Sequence, residues 1–145
     1  MESDQVLVHG TTVDVNGTAV LLRGPSGCGK SDLALRLMDS GGVLVSDDQT
    51  KLSLIDDHLI ASAPSTIAGM IEVRGIGLLK VPHLDRIPLG LVVDLTSDEK
   101  VERLPEPQST TFLGVSVPLL QLVAFQASTP TKIRWWVAHH PGDHL

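Results

Sequence analysis

The sequence lacks the features that would form a disulfide, span a membrane or favour nucleic-acid binding. Its 145 residues include one cysteine, Cys28, which excludes an internal disulfide and favours a reducing compartment. No run of about 18 apolar residues is present and no leader pattern opens the chain, so we expect a soluble cytoplasmic protein with no membrane partner. A net charge of −6 argues against a general nucleic-acid-binding protein. One domain over residues 1–145 is expected at this length.

What the sequence does contain is a stretch that fits the phosphate-loop pattern G-x-x-x-x-G-K-[ST] at every fixed position. Lys30 can reach the β- and γ-phosphates, and the Ser31 hydroxyl can ligate Mg²⁺. A β-rich run over 18–23 precedes the loop and a helical pattern over 32–38 follows, which aims a helix N-terminus at the phosphates. We therefore expect a nucleoside triphosphate to bind here. The residues of the loop are Gly24, Pro25, Ser26, Gly27, Cys28, Gly29, Lys30 and Ser31, with Cys28 interpreted as a tolerated filler.

Most of the remaining pattern predicts strands. Asn16-Gly17 between apolar runs is a strong hairpin signal, and a second hairpin is expected around residues 56–58. Glycines interrupt the strand pattern over 71–77, which suggests a loop near a ligand. Such closely spaced hairpins argue against a simple doubly wound parallel sheet. We expect an α/β fold with a strand-rich mixed sheet.

The C-terminal part of the chain predicts a short strand and two helices. Val115 to Val117 form the strand, and residues 119–127 form a helix that Pro118 starts. A second helix is expected over 132–139. Its adjacent tryptophans cannot share one helical face, so one of them is expected to be exposed at a subunit contact.

Carboxylates decide what chemistry a phosphate loop supports. Asp47 and Asp48 follow a hydrophobic strand 17 and 18 residues after Lys30, so the chain can return them to the triphosphate. A carboxylate there can accept a proton from an attacking hydroxyl or hold Mg²⁺. The alternative is a polar strand end with a turn. Asp94, at the end of the apolar run Leu91 to Val93, is a competing metal ligand, and the residues alone leave it open.

Other polar residues have both an ordinary and a functional interpretation. Glu72 and Arg74 share one face if that stretch is extended, and beside a phosphate they could act as metal ligand and anion clamp; otherwise they form a surface ion pair. His9 lies one hairpin upstream of the phosphate loop, although a core or hairpin histidine is favoured on the residues alone. His139, His140 and His144 look like a metal cluster, but a solvated C-terminal tail is favoured.

Taken together, these residues resemble the catalytic domain of HPr kinase/phosphorylase. His9, GPSGCGKS, the aspartate pair and EVRGIGLLKV occur in that family's order and at similar spacings, over roughly residues 5 to 104. The resemblance implies a phosphate-loop domain with a nucleotide site akin to that of phosphoenolpyruvate carboxykinase. It implies ATP- and Mg²⁺-dependent phosphorylation of a serine on HPr, a small carrier protein of the sugar phosphotransferase system. It also implies the reverse reaction, in which phosphate releases pyrophosphate, and a homohexamer.

The resemblance assigns roles to the site residues. The phosphate loop cradles ATP or pyrophosphate, Lys30 neutralises phosphate charge, Ser31 holds Mg²⁺ and His9 lies near the phosphate. Glu72 matches the family's second Mg²⁺ position.

The aspartate pair supplies the base that takes the serine proton. Spacing favours Asp48, and Asp47 stays open as the base or as a metal ligand. Arg103, in VERL, resembles an arginine of the family's D-R-L-G stretch.

Two departures from the family pattern affect what we expect. Only eight residues precede His9, so the chain looks like a short form without the family's N-terminal domain. The family's Pro-x-Arg-Pro-Gly-Arg-Asn segment is replaced by the sequence of residues 112–119. Its two arginines and asparagine are tied to dephosphorylation, so the kinase reaction is expected and the phosphorylase reaction is left open. The alternatives are a small-molecule kinase and a non-catalytic ATP-sensing module.

Overall fold

The elements of the fold are defined over residues 4–141, the part of the chain that the computed structural model describes. In this range there are two α-helices, α1 at Lys30–Asp39 and α2 at Thr129–His139. Neither of these described helices is long and apolar enough to cross a membrane. The strands of the same range are β1 Gln5–His9, β2 Thr11–Val15, β3 Thr18–Arg23, β4 Val43–Ser46, β5 Gln49–Ile55, β6 His58–Ser62, β7 Met70–Val73, β8 Gly77–Lys80, β9 Ile87–Leu95, β10 Gln108–Phe112 and β11 Val115–Leu122.

All of these strands except β7 and β8 form one mixed sheet, with the order β1-β5-β6-β9-β3-β2-β4. Strand β9 runs parallel to β3 and also pairs with β6 at its start and with β11 at its end. Strand β10 pairs antiparallel with β11. The architecture confirms the predicted strand-rich mixed α/β fold and confirms that the sheet is not doubly wound and parallel.

Local turn signals account for the hairpins. Asn16 and Gly17 join β2 to β3 with φ values of 52° and 90°, and Asp56 and Asp57 join β5 to β6 with φ values of 51° and 66°. Two successive left-handed residues match the twist of paired strands. Residues 71–77, predicted as a loop, belong instead to the hairpin β7–β8, because Gly75 lies in a short turn and Gly77 already pairs with Val73.

The helix predicted for residues 119–127 is wrong. Strand β11 continues from Val115 to Leu122, pairing antiparallel with β10 and then parallel with the end of β9. A short apolar run fits a buried strand or a helix equally well, and here one edge of β9, which β3 leaves free, decides between them. Pro118 lies opposite Ser109 in the β10–β11 register and starts no helix.

Helix α2 confirms the helix predicted for 132–139 and begins at Thr129. Trp135 is 65% exposed, whereas Trp136 packs against the hydrophobic core. Adjacent residues of a helix point about 100° apart, so the two rings have different surroundings. A subunit contact at Trp135 stays a prediction.

Helix α1 is held on the sheet by a buried apolar face. Leu33 and Leu37 are 0% and 1% exposed and share a core cluster with Val20 and Leu22 of β3. Truncating a leucine buried in this way to alanine costs about 2–5 kcal/mol. This packing fixes the direction of α1, and with it the position of its N-terminus at the end of β3.

Two breaks between strands lie opposite each other beside that N-terminus. Strand β1 passes into β2 at Gly10, and β4 passes into β5 at Asp47 and Asp48, while β1 pairs with β5 and β2 with β4. The Gly10 N–H donates to the Asp48 carbonyl over 2.8 Å. A β-carbon on Gly10 would lie 2.7 Å from both Leu21 Cδ1 and the Leu22 carbonyl oxygen, so this close approach requires glycine. The break between β4 and β5 therefore places Asp47 within hydrogen-bond distance of Ser31 of the phosphate loop.

Candidate functional site

The phosphate loop connects β3 to α1, as predicted from the sequence. Gly29 precedes the helix with a φ of 104°, a left-handed value that glycine tolerates, and no described side chain caps the helix. The first N–H groups of α1 are therefore available to an anion, which the helix dipole also favours. Sγ of Cys28 lies 2.6 Å from where a β-carbon on Gly24 would be, and the thiol packs partly against the core. That position fits the interpretation of Cys28 as a filler.

The Lys30 side chain folds along the inside of the loop. Its ammonium group donates to the carbonyl oxygens of Gly24 over 2.7 Å and of Pro25 over 3.2 Å. Lys30 is only 7% exposed. An ammonium group has three hydrogens, so these two bonds position the charge and leave one donor for an anion held by the loop.

Asp47 connects several elements at the site. Its Oδ1 accepts hydrogen bonds from the Ser31 hydroxyl over 2.9 Å and from the Thr11 hydroxyl over 3.0 Å. Its Oδ2 accepts the backbone N–H of Glu72 over 2.9 Å. At 7% exposure the carboxylate is buried and held by three donors. The Ser31 hydroxyl and this carboxylate together offer oxygen donors of the kind that Mg²⁺ prefers.

Asp48 has a different environment, although it is the next residue. Its Oδ1 lies 3.2 Å from Nε2 of His9, and the two side chains are 68% and 50% exposed. The φ of Asp48 is 69°, held by the Gly10 N–H on its carbonyl and by a bond from its own N–H to the Thr11 hydroxyl. Uncommon backbone conformations of this kind cluster at functional sites. The result is a solvent-facing carboxylate beside an imidazole, one residue after the carboxylate that bonds Ser31 of the phosphate loop.

Glu72 and Arg74 lie on the hairpin β7–β8 beside Asp47. Glu72 is in β7 with an exposed side chain, and its backbone N–H makes the contact to Asp47. Arg74 follows the last residue of β7 and lies in the turn. Only Glu72 is therefore in an extended strand, and the two residues do not share one strand face. The hairpin therefore places the backbone of Glu72 beside Asp47, with Arg74 two residues further along the chain, and both side chains are exposed.

Arg103 and Asp94 are not brought into this arrangement by any contact among the described residues. Arg103 lies in the exposed segment between β9 and β10 and makes no ion pair with a described residue. The Asp94 carboxylate is bound by Arg23, with Nε to Oδ1 at 2.8 Å and Nη2 to Oδ2 at 3.1 Å. Both oxygens of Asp94 are therefore already paired with Arg23, which argues against the competing interpretation of Asp94 as a metal ligand.

The C-terminal histidines belong to the end of helix α2. Nδ1 of His139 lies 2.7 Å from the Trp135 carbonyl oxygen, and Nδ1 of His140 lies 2.7 Å from that of Trp136. His144 lies outside the described residues. Over residues 4–141, no group of three or more His, Cys, Asp or Glu side chains is placed to hold a metal ion.

One residue of the site, Thr11, is not predicted by the sequence pattern. This residue is fully buried, and its hydroxyl donates to Asp47 while accepting the N–H of Asp48. It therefore holds both members of the aspartate pair from the opposite strand. Its only sequence signal is a polar residue directly after Gly10, at the break that the structure reveals.

The sequence is similar to those of curated proteins. HPr kinase/phosphorylase of Caldanaerobacter subterraneus subsp. tengcongensis is 41% identical over 81% of this chain and 43% of its own length. That of Acidovorax sp. is 38% identical over 83% of this chain and 42% of its own length. The chain thus spans less than half the length of these curated relatives.

The fold also matches a solved structure. The structure of the Hpr(Ser) kinase/phosphatase from Coxiella burnetii superposes with a TM-score of 0.83 at 28% identity, covering 93% of this chain and 90% of that one. The family model for the HPr Serine kinase C-terminal domain matches residues 2–133. The chain belongs to the HPr serine kinase C-terminal domain family.

Proposed function

We propose that this chain transfers the γ-phosphoryl group of ATP to a serine of an HPr-like carrier protein, with Mg²⁺ as cofactor. The observation that carries the proposal is the hydrogen bond between Ser31 of the phosphate loop and Asp47, because it joins the nucleotide-binding element to the aspartate pair. The family membership supplies the phosphoryl-transfer chemistry and the carrier substrate. The chemistry itself is largely positioning and charge neutralisation.

The phosphate loop and helix α1 hold the triphosphate in this proposal. The free N–H groups at the start of α1 bind phosphate oxygens, and Lys30 contributes its remaining donor and its positive charge. Lys30 is already oriented by the loop carbonyls, so little reorganisation is required when the anion binds. Arg74, on the exposed turn of the hairpin, is the candidate for an additional anion contact.

Ser31 and Asp47 would hold Mg²⁺ beside the phosphates, and Glu72 would contribute the family's second Mg²⁺ position. When bound, the ion neutralises charge on the phosphate oxygens. Asp47 is poorly suited to act as a base, since three donors already occupy its oxygens. Its connections to α1, β2 and β7 suit a positioning role.

Asp48 is the proposed general base. The serine oxygen of the carrier attacks the γ-phosphorus and a new O–P bond forms, while the bond from phosphorus to the β,γ-bridging oxygen breaks and ADP leaves. The serine proton passes to the Asp48 carboxylate. Its exposure leaves it accessible to an incoming hydroxyl, and His9 at 3.2 Å can orient it.

The test is transfer of labelled γ-phosphate from ATP to purified HPr of the same organism. We expect label on a serine when Mg²⁺ is present, and loss of that label with the Asp48→Asn variant. Added inorganic phosphate then reports the reverse reaction, because pyrophosphate release requires the phosphorylase activity. Absence of label with ATP binding intact would contradict the proposal and favour the small-molecule kinase or the sensing module. We also propose assembly as a homohexamer, on the family resemblance, and a cytoplasmic location, on the single cysteine.

A further inference from the structure

One exposed aromatic ring, that of Phe125, lies directly on the phosphate loop. A β-carbon built on Gly29 would be 2.8 Å from Cζ of Phe125 and 2.9 Å from Cβ of Ala124. The edge of the ring therefore contacts the last glycine of the loop. Phe125 is nevertheless 66% exposed. The exposed part of the ring is apolar surface that a bound ligand could cover, and its burial would favour binding.

The backbone on both sides of Phe125 is anchored. Arg36 of α1 donates through Nη1 to the Gln126 carbonyl over 3.1 Å, and through Nη2 to the Ala124 carbonyl. Nε of Arg36 in turn donates to Asp32 over 3.0 Å. These bonds from Arg36, in the last turn of α1, fix the backbone that carries Phe125, so the residue is positioned beside Gly29 before any ligand arrives.

Two sides of helix α1 indicate where the two ends of a bound nucleotide would lie. Ser31 points toward Asp47, at the end where the γ-phosphoryl group reacts in the proposed function. Asp32 and Arg36 point toward the segment that carries Phe125, and Asp32 lies about 100° around the helix from Ser31. A triphosphate that crosses the N-terminus of α1 with its γ-phosphate at Asp47 directs its nucleoside toward Phe125.

We propose that Phe125 is the stacking platform for the nucleobase of the nucleoside triphosphate. This inference rests on the proposed function, since it requires the phosphate loop to hold a triphosphate. Stacking on a phenyl ring uses the π-face that every base presents, so the platform favours nucleotides over bare polyphosphate and does not select one base.

The test is calorimetric titration of the full chain with Mg-ATP, Mg-GTP and inorganic tripolyphosphate. Phe125→Ala should weaken ATP and GTP binding alike, by about fivefold or more (~1 kcal/mol), and leave tripolyphosphate binding unchanged. Phe125→Trp should restore nucleotide binding. Trp135→Ala is the matched control, because that ring is 65% exposed on the outside of α2; it should change none of the affinities.

Two results would overturn the platform while the proposed function stands. One is wild-type ATP affinity in the Phe125→Ala variant. The other is an equal loss of ATP and tripolyphosphate affinity, which would mean that the ring only shapes the loop. If the unmodified chain binds neither ATP nor tripolyphosphate, the proposed function fails and the platform fails with it.

Discussion

The Ser31 hydroxyl donates a hydrogen bond to Oδ1 of Asp47 over 2.9 Å, while Asp48, one residue later, faces His9. Two adjacent carboxylates thus have different environments. Asp47 is buried and accepts three hydrogen bonds, and Asp48 is 68% exposed by side chain and lies beside an imidazole. Substitutions of the two residues should therefore give different kinetic results.

Asp48→Asn should reduce kcat for transfer to HPr by about 100-fold or more, because an amide cannot take the serine proton. The affinity for ATP and the Mg²⁺ concentration for half-maximal rate should stay unchanged. Asp47→Asn should raise that Mg²⁺ requirement, since the charge beside Ser31 is lost. Steady-state kinetics at varied Mg²⁺ measure both effects. The opposite pattern, with Asp47→Asn losing kcat alone, would make Asp47 the base.

Thr11→Val should lower both stability and transfer rate. Valine matches the shape of threonine but leaves an Asp47 lone pair and the Asp48 N–H without their partner, which costs about 1–3 kcal/mol of unfolding free energy. The aspartate pair should also lose its alignment, so kcat falls. Denaturant unfolding and the transfer assay measure the two effects.

Thr12→Val is the matched control for this change. Thr12 is also fully buried, and its hydroxyl is bonded to that of Thr50 over 2.8 Å and to neither aspartate. This variant should lose stability and keep kcat per folded molecule. An equal loss of kcat in both variants would show that Thr11 acts only through general stability.

Asp94→Asn tests the competing strand-end carboxylate. Its two bonds with Arg23 are partly exposed, so loss of the charge should cost about 0.5–1 kcal/mol of stability. Because the carboxylate is already paired, kcat and the Mg²⁺ requirement should stay at their wild-type values. A raised Mg²⁺ requirement would instead identify Asp94 as a metal ligand. Thermal unfolding together with transfer kinetics separates the two outcomes.

The elements that could be predicted from the sequence are those specified by neighbouring residues. Asn16-Gly17 specifies a two-residue turn by backbone conformation alone, and the glycines of residues 24–31 do the same for the phosphate loop. The apolar face of α1 likewise follows from periodicity over ten residues. Each of these signals is local, so no knowledge of the sheet order is required.

The parts that could not be predicted depend on contacts between distant segments. Thr11 meets Asp47 across 36 positions of sequence, and only the paired strand breaks bring them together. Residues 119–122 became a strand because β9 offered an unpaired edge, which no local pattern reveals. That wrong helix also concealed Phe125, whose position on Gly29 depends on β11 ending before it. Long-range pairing decided each case.

Asp14 provides a prediction on pH and stability. It is 8% exposed on β2, its Oδ1 has no hydrogen-bond partner among the described residues, and burial raises the pKa of this carboxyl above its ordinary value of 3.8. A bond from the Gly17 backbone only partly opposes that shift. Between the unfolded and the raised folded pKa, the folded state binds more protons than the unfolded state. Ionisation of Asp14 therefore lowers stability as pH rises through this window.

Asp14→Asn stays neutral and should remove that loss. The unfolding free energy of the variant relative to wild type should increase as pH rises from below 3.8 through the window to neutrality, as measured by denaturant unfolding at several pH values. Asp57→Asn, in an exposed turn at a φ that asparagine tolerates, controls for removing one negative charge from a chain with net charge −6. A difference between the Asp14 variant and wild type that is the same at every pH would show that the carboxyl has the same pKa in the folded and unfolded states.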